Sequence, residues 1–305
     1  MIKSSLSYAL PSKKPKKVWN SRFSWSDIPI YLCFIVFALI TIYPFWYVLV
    51  GSFNTGSDYL KGGIFIWPRE FTFANFEYVL LDLRLYKAFG VTIARTILTT
   101  SLSTVFTAMI AYSMSIHGTP GRRIAYWINI FTMFFGGGLI PYFLLLVNLG
   151  FYNSFFVYVI PGMYSVFNML IFSNFFSGIS KDYRESALID GASEFTIIFR
   201  IYFPLSKAVF ATVALWTAVG CWNSYYDTML YTSDASLWTL QYYLMTIVKQ
   251  LNLPPEIMGG RTFGDEISAQ TVSNAAIIIS SVIILCFYPL ISKTFRKGQM
   301  MGAIK

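Results

Sequence analysis

The chain has 305 residues, 56% of them hydrophobic and only 12% charged, with a mean hydropathy of +0.57. Soluble domains carry about 25% charged residues, so this composition excludes an ordinary soluble fold and points to a membrane solvent. A formal charge of +9 leaves nucleic acid and membrane topology as competing explanations, and the placement of the basic residues decides between them.

Crossing a bilayer core takes roughly 20 apolar residues in a helix, and the chain can be read span by span on that measure. A basic arm, residues 1–27, carries Lys13, Lys14, Lys16, Lys17 and Arg22. A run without charge from Ile28 to Ser57 follows, and its part up to about Val50 forms the first span. That run is longer than the apolar core of a secretory signal and no small-residue cleavage site follows, so it reads as a retained helix. The second span starts near Phe89, is interrupted by Arg95 and ends at Ile116. The charge-free run from Ile124 to Ser180 is long enough for two spans, with NLGFYNS (Asn148 to Ser154) as the turn between them. Within the third span, Gly136, Gly137 and Gly138 followed by Pro141 loosen the backbone ladder. A fifth span runs from about Lys207 to Tyr226 and a sixth from about Ile267 to Ser292. The expected fold is all-α: a polytopic membrane protein with six transmembrane helices, forming one domain over 28–305 behind the arm 1–27.

Sixteen of the 23 Lys and Arg then fall on one side of the membrane, including Arg122, Arg123, Lys181, Arg184, Arg200, Lys207, Lys293, Arg296, Lys297 and Lys305. Basic residues are held on the cytoplasmic side during insertion. Both termini and the loop between spans four and five are therefore expected in the cytoplasm, and the charge is topology rather than a nucleic-acid footprint. Two long segments face outward, Gly51 to Ala88 with Trp67 and Thr228 to Glu266 with Trp238, LNLPPE and GGRTFGDE. Long connections of this kind are usually functional, and these are placed to receive something delivered from outside. The apolar piece Leu237 to Val248 is expected at the interface or against the spans. Ala211, Ala214, Ala218 and Gly220 mark a face where helices approach closely. Cys33, Cys221 and Cys286 fall in different spans without paired spacing, which reads as buried packing residues rather than a disulfide or metal site. His117 is a lone loop residue.

Between two apolar stretches, Ile124 to Ser180 and Ala208 to Tyr226, lies ESALIDGASEFTIIFRIYFP, Glu185 to Pro204. Asp182 can cap a new helix with Glu185 three residues on. Gly191 permits a bend. Ser193 can cap a second helix, in which Phe195, Ile198, Phe199 and Tyr202 recur at helical spacing. Pro204 fits the first turn of the fifth span. The expectation over 181–204 is two short helices about a glycine hinge.

This segment resembles the EAA loop of ABC importer permeases, whose pattern is E-A-A, two residues, D-G, then a downstream I and P. Glu185, Ala187, Asp190, Gly191, Ala192, Phe199, Ile201 and Pro204 stand at matching positions, while Ser186 and Ala208 depart from the pattern. The wording IDGA, the stretch GGGLIP (Gly136 to Pro141) and WNSYYD (Trp222 to Asp227) resemble the carbohydrate, maltose-type branch. The resemblance implies a type I ABC importer permease fold in a bacterial cell membrane and a saccharide, oligosaccharide rather than single sugar, as substrate. It implies that Glu185, Ser186, Ala187, Asp190, Gly191 and Ala192 insert into a cleft on a separate ATPase dimer, which binds the ATP and Mg. It also implies a second, homologous but non-identical permease, a solute-binding protein outside, and surrounding lipid.

No G-x-x-x-x-G-K-[ST] phosphate loop is present, and GTPGRR (Gly118 to Arg123) lacks both its spacing and its lysine. The chain is thus expected to hold no cofactor and to catalyse nothing itself. Trp222, Asn223, Tyr225 and Tyr226, with Asn168 in the fourth span, combine aromatic faces and polar groups and are candidate substrate contacts; an interfacial aromatic belt is the competing explanation. A stand-alone secondary transporter or channel for a small polar solute would want intramembrane ionisable groups. Arg95 is the only clear one, and it is expected to snorkel outward. A membrane enzyme would need paired carboxylates or a His cluster, which the sequence does not offer.

Overall fold

The structure is a computed structural model that describes residues 27–64, 66–251 and 266–302. The basic arm up to Arg22, the stretches LNLPPE after Leu251 and GGRTFGDE before Glu266, with Arg261, and Lys305 lie outside the described residues. Two compact units are distinguished, Met1–Trp46 and Tyr47–Lys305. In the first, the described residues form the leading part of helix α1 (Ile28–Ser52) and turn Phe34, Phe37 and Phe45 outward. Thr41 Oγ1 donates to the Phe37 carbonyl at 2.8 Å, one turn back along the same helix.

The second unit continues with α2 (Gly56–Leu60), α3 (Ala74–Leu80), α4 (Leu83–Ser115), α5 (Arg122–Phe134), α6 (Leu139–Asn148) and α7 (Val166–Ser177). After these come α8 (Asp182–Ile189), α9 (Glu194–Ile197), α10 (Phe203–Leu205), α11 (Lys207–Asn223), α12 (Tyr226–Tyr231), α13 (Leu240–Leu251) and α14 (Ala269–Gly302). Among the described residues the one strand-like contact is an antiparallel bridge between Asn54 and Phe71, so the all-α expectation holds. Helix α4 is the axis of the unit and packs against α7, α11 and α13; α14 packs against α3, α11 and α13.

Length and composition account for two to four of the six expected spans. Helices α1 and α4 are long and apolar enough to cross a membrane. Two bent pairs, α5 with α6 at 114° and Glu194–Leu205 with α11 at 84°, each count as one span if the break is ignored. Helix α7 and Ala269–Ile283 of α14 are shorter apolar helices. The first bend has a local cause. Gly138 sits at φ 88, a conformation that side-chain-bearing residues avoid, and it ends the ladder between α5 and α6. Helix α4 begins at Leu83, earlier than the expected Phe89, because the Asp82 carboxylate caps it by accepting the Arg84 N–H at 2.9 Å.

Two apolar cores lie toward opposite ends of α4. One gathers Leu85, Ala88, Trp222, Leu240, Tyr243, Leu244 and Val272, so the Leu237–Val248 piece packs on the bundle. The other gathers Ala108, Ala111, Tyr112, Met169, Phe172, Phe176, Ile197, Ile198 and Val213. About 23 residues of α4 separate Ala88 from Ala111, a rise of roughly 35 Å. At the first of these ends the long segments are knitted by buried polar groups. Asn54 Nδ2 donates to Asp58 at 2.9 Å, Arg69 Nε donates to the same carboxylate at 3.0 Å, and Asn75 Nδ2 donates to the Ser52 and Asn54 carbonyls. Gly56 allows the segment before α14 to come close: its N–H donates to the Glu266 carbonyl at 2.9 Å, and a Cβ there would lie 2.4 Å from the Ile267 backbone.

The cysteines correct the sequence-based expectation. Cys33 and Cys286 are exposed and only Cys221 is partly covered. On the outer face of a span the surrounding lipid is as apolar as a core, so a small hydrophobe gains nothing by turning inward.

Candidate functional site

The 181–204 loop is built around Gly191. The Ala192 N–H donates to the Ala187 carbonyl at 2.9 Å and the Gly191 N–H to the Leu188 carbonyl at 3.0 Å, with Gly191 at φ 77. This is a Schellman ending for α8, and glycine supplies its left-handed residue without steric cost. Ser193 then caps α9, its hydroxyl accepting the Thr196 N–H at 3.3 Å. The expected Asp182 cap is corrected. Lys181 already has helical dihedrals, so Asp182 is the first helical residue, and its own N–H is received by the Ser180 hydroxyl at 3.3 Å. Pro204 is likewise displaced. It lies in α10, after a π-helical turn at Ile198–Tyr202, and Ser206 at φ −106 and ψ 18 breaks the chain before α11 begins.

Three anchors hold this loop to the bundle. Ile197 and Ile198 are buried in the core, with Ala187 and Ala192 packed against it. The Tyr112 and Tyr202 rings meet edge to face with centroids 4.7 Å apart. Glu194 receives both the Tyr112 hydroxyl and the Arg184 guanidinium, tying α8, α9 and the end of α4 together. Burial pushes the Glu194 carboxyl up, but the bonds from Arg184 and Tyr112 outweigh it and leave the group below the ordinary carboxylate range. The remainder of α8 faces away from the bundle. It buries no side chain, and Glu185, Ser186, Asp190 and Gly191 are exposed beside Tyr183, Leu188 and an Ile189 that is 87% exposed.

A second feature lies between α4, α7, α11 and α12, where a cavity of about 440 Å³ is lined by Arg95, Thr99, Ser103, Tyr142, Tyr158, Asn168, Thr217, Asp227 and Tyr231, among others. Arg95 does not snorkel. It is 4% exposed, donates to the Asp227 carboxylate and to the Ser224 carbonyl at 3.4 Å, and its Cζ lies 4.7 Å from the Tyr158 ring centroid. A guanidinium withdrawn from water needs such a partner. Asp227 is steadied in turn by the Ser224 hydroxyl at 3.1 Å. The Tyr158 hydroxyl donates to the Leu237 carbonyl at 2.8 Å, fixing the ring beneath the cation.

Of the sequence-predicted substrate contacts, only Asn168 lines this cavity; its Oδ1 accepts the Trp216 indole N–H at 2.9 Å. Trp222 is buried in the core, edge-on to Phe89 at 6.0 Å. Asn223 is exposed and donates to the Val219 carbonyl of its own helix, and Tyr225 and Tyr226 are exposed outside the cavity. Sequence reasoning missed Asp227 and Tyr158. The available signal was the lone intramembrane Arg95, which calls for an acid, and WNSYYD ends on one. Among the described residues no group of three or more His, Cys, Asp or Glu could hold a metal ion.

Known proteins resolve the family. Residues 105–296 match the family described as "Binding-protein-dependent transport system inner membrane component". Protein LplC of Bacillus subtilis is 36% identical over 87% of this chain and 90% of its own length. The polygalacturonan/rhamnogalacturonan transport system permease protein YtcP of the same organism is 33% identical over 92% and 98%. A crystal structure of a bacterial ABC transporter involved in the import of the acidic polysaccharide alginate superposes with a TM-score of 0.81 at 31% identity, covering 90% of this chain and 99% of that one. These likenesses displace the stand-alone transporter and the membrane enzyme. The type I ABC permease fold, the EAA-like loop and the family match agree: the chain belongs to the inner-membrane components of binding-protein-dependent transport systems, as a non-enzymatic permease subunit of an ABC importer.

Proposed function

We propose that this permease carries a saccharide, an oligosaccharide in particular, across a bacterial cell membrane, with six spans and both termini in the cytoplasm. The residues from 28 onward form the translocating domain behind a cytoplasmic arm. A separate ATPase dimer binds ATP and Mg, and its closure moves the 181–204 loop. Glu185, Ser186, Ala187, Asp190, Gly191 and Ala192 form the coupling surface. A non-identical second permease completes the pathway, and a solute-binding protein docks on the outward segments, where Trp67 is 71% exposed. Saccharide as cargo is supported by the relatives, since YtcP is described as a polygalacturonan/rhamnogalacturonan transport system permease and the matched crystal structure as an ABC transporter involved in the import of alginate.

The observation that carries the coupling role is the form of the loop. Its inner face is locked to the α4 core through Ile197, Ile198 and Glu194, while α8 presents Ile189 and Glu185 outward. A lever needs both a rigid attachment and a free contact surface. Gly191→Pro forces φ from 77 to about −65 and should abolish ATP-driven uptake and weaken co-purification of the ATPase, with membrane insertion unchanged. Normal uptake by that variant, with the ATPase fully bound, refutes the coupling role.

A further inference from the structure

The 440 Å³ cavity presents a ligand with a particular chemistry. Arg95 and Asp227 both line it, and their side chains are 5% and 34% exposed, so the acid is the more accessible of the two charged groups on the wall. The guanidinium is engaged with Asp227, the Ser224 carbonyl and the Tyr158 ring, and its remaining Nε is buried without a hydrogen-bond partner. The pair is neutral overall, and the other polar groups on the wall, Thr99, Ser103, Thr217 and Asn168, are neutral hydroxyls and an amide. Tyr142 and Tyr231 add aromatic faces. A tie serving only to join α4 to α12 would gain nothing by leaving a third of the acid side chain exposed.

We propose that this cavity is a sugar subsite owned by this chain, and that it accepts uncharged sugar rings and rejects uronates. The open edge of the Asp227 carboxylate accepts ring hydroxyls, and Arg95 is the positioning residue behind it. The proposal rests on the saccharide reading and refines it. A hydroxyl donated to a carboxylate makes a charge-assisted bond, and sugar C–H faces can lie on the tyrosine rings. A uronate would bring a second carboxylate against Asp227, the accessible member of the pair, with Arg95 already engaged behind it, so the like charges repel. The volume falls within the roughly 300–1,000 Å³ of small-ligand sites. Substrate transferred from likeness to the alginate importer would be acidic; the geometry here points the other way.

The test is a titration of the purified permease–ATPase assembly, without binding protein, following tryptophan fluorescence. Trp216 bonds to the cavity residue Asn168 and serves as the reporter. Galactotetraose and mannotetraose are compared with tetragalacturonate and tetramannuronate. At least one uncharged sugar should bind saturably, about tenfold or more tighter than its uronate. The charge-neutralising pair Arg95→Gln/Asp227→Asn leaves no buried charge and should close that gap to about twofold or less. Should that double variant fail to assemble, Asp227→Glu keeps the ion pair while shifting the carboxylate, and should weaken the uncharged sugar without admitting the uronate. Equal or tighter uronate binding, or a gap unchanged in the variants, overturns the proposal. No saturable signal from any of the four sugars removes the cavity as a subsite. The saccharide reading then stands or falls separately, on uptake through the complete importer.

Discussion

Glu194 receives a hydroxyl from α4 and a guanidinium from α8 while standing in the first turn of α9, so it is the ionic one of the three anchors through which movement of the loop reaches the bundle. Its folded-state carboxyl titrates below the ordinary range. The anchor is therefore complete above the unfolded-state value near 4.3 and is lost as pH falls through the depressed one. Glu194→Gln should leave basal ATP hydrolysis within about twofold while reducing its stimulation by loaded binding protein several-fold, because a neutral amide loses the stronger ionic bond to Arg184. Equal loss of basal and stimulated hydrolysis in a reconstituted assembly would instead indicate a loop that no longer folds. At this scale the sequence was legible where the cause was local. Gly191 and Ser193 act on amides within a few residues, and their spacing announced them. Asp182 misled because Lys181 is already helical, and its carbonyl receives the Arg184 and Glu185 N–H groups that an Asp182 cap would take. Arg95 misled because its partner stands 132 residues away, a distance no periodicity can bridge.

The helical elements were legible from charge-free runs, but their bends were not. Apolar composition is blind to backbone direction, so the run from Ile124 read as a third span that glycine and proline loosen, whereas the chain turns by 114° between α5 and α6. The three glycines are not equivalent. Gly138 has φ 88, while Gly136 lacks a positive φ and has no neighbouring atom within 4 Å of a built Cβ. Gly138→Ala should therefore destabilise the fold by about 1–3 kcal/mol, seen as a lower midpoint of thermal aggregation of the detergent-purified assembly. Gly136→Ala should be close to neutral in the same assay. A matching loss in both variants would show that the whole GGG stretch, rather than one strained dihedral, sets the bend. The break at Ser206 escaped notice for the same reason: Pro204 signals a helix start, but nothing in the apolar pattern says that α10 ends after three residues.

For the whole molecule, the question is what covers the faces that this chain leaves open. Helix α5 buries none of its side chains and exposes Ile124, Trp127, Ile128, Phe131 and Phe134. Along α11, Ala211, Ala214 and Ala218 are only partly covered and Gly220 is exposed, with nothing within 4 Å of a built Cβ. Small residues on such a face let a second backbone approach closely. The cavity adds a chemical reason for a partner. At about 440 Å³ it sits toward the lower end of ligand-site volumes, so an oligosaccharide would extend past its polar wall. Each sugar hydroxyl withdrawn from water without a partner costs about 2–7 kcal/mol, more than stacking on Tyr142 or Tyr231 could offset. The missing groups should come from a second, non-identical permease that meets this chain along a surface including α11. Expressing this chain with the ATPase and binding protein alone should give no ATP-driven saccharide uptake, and adding the second permease should restore it. Robust uptake without that subunit would mean that two copies of this chain line the route together, with the Asp227 cavity duplicated across a twofold axis.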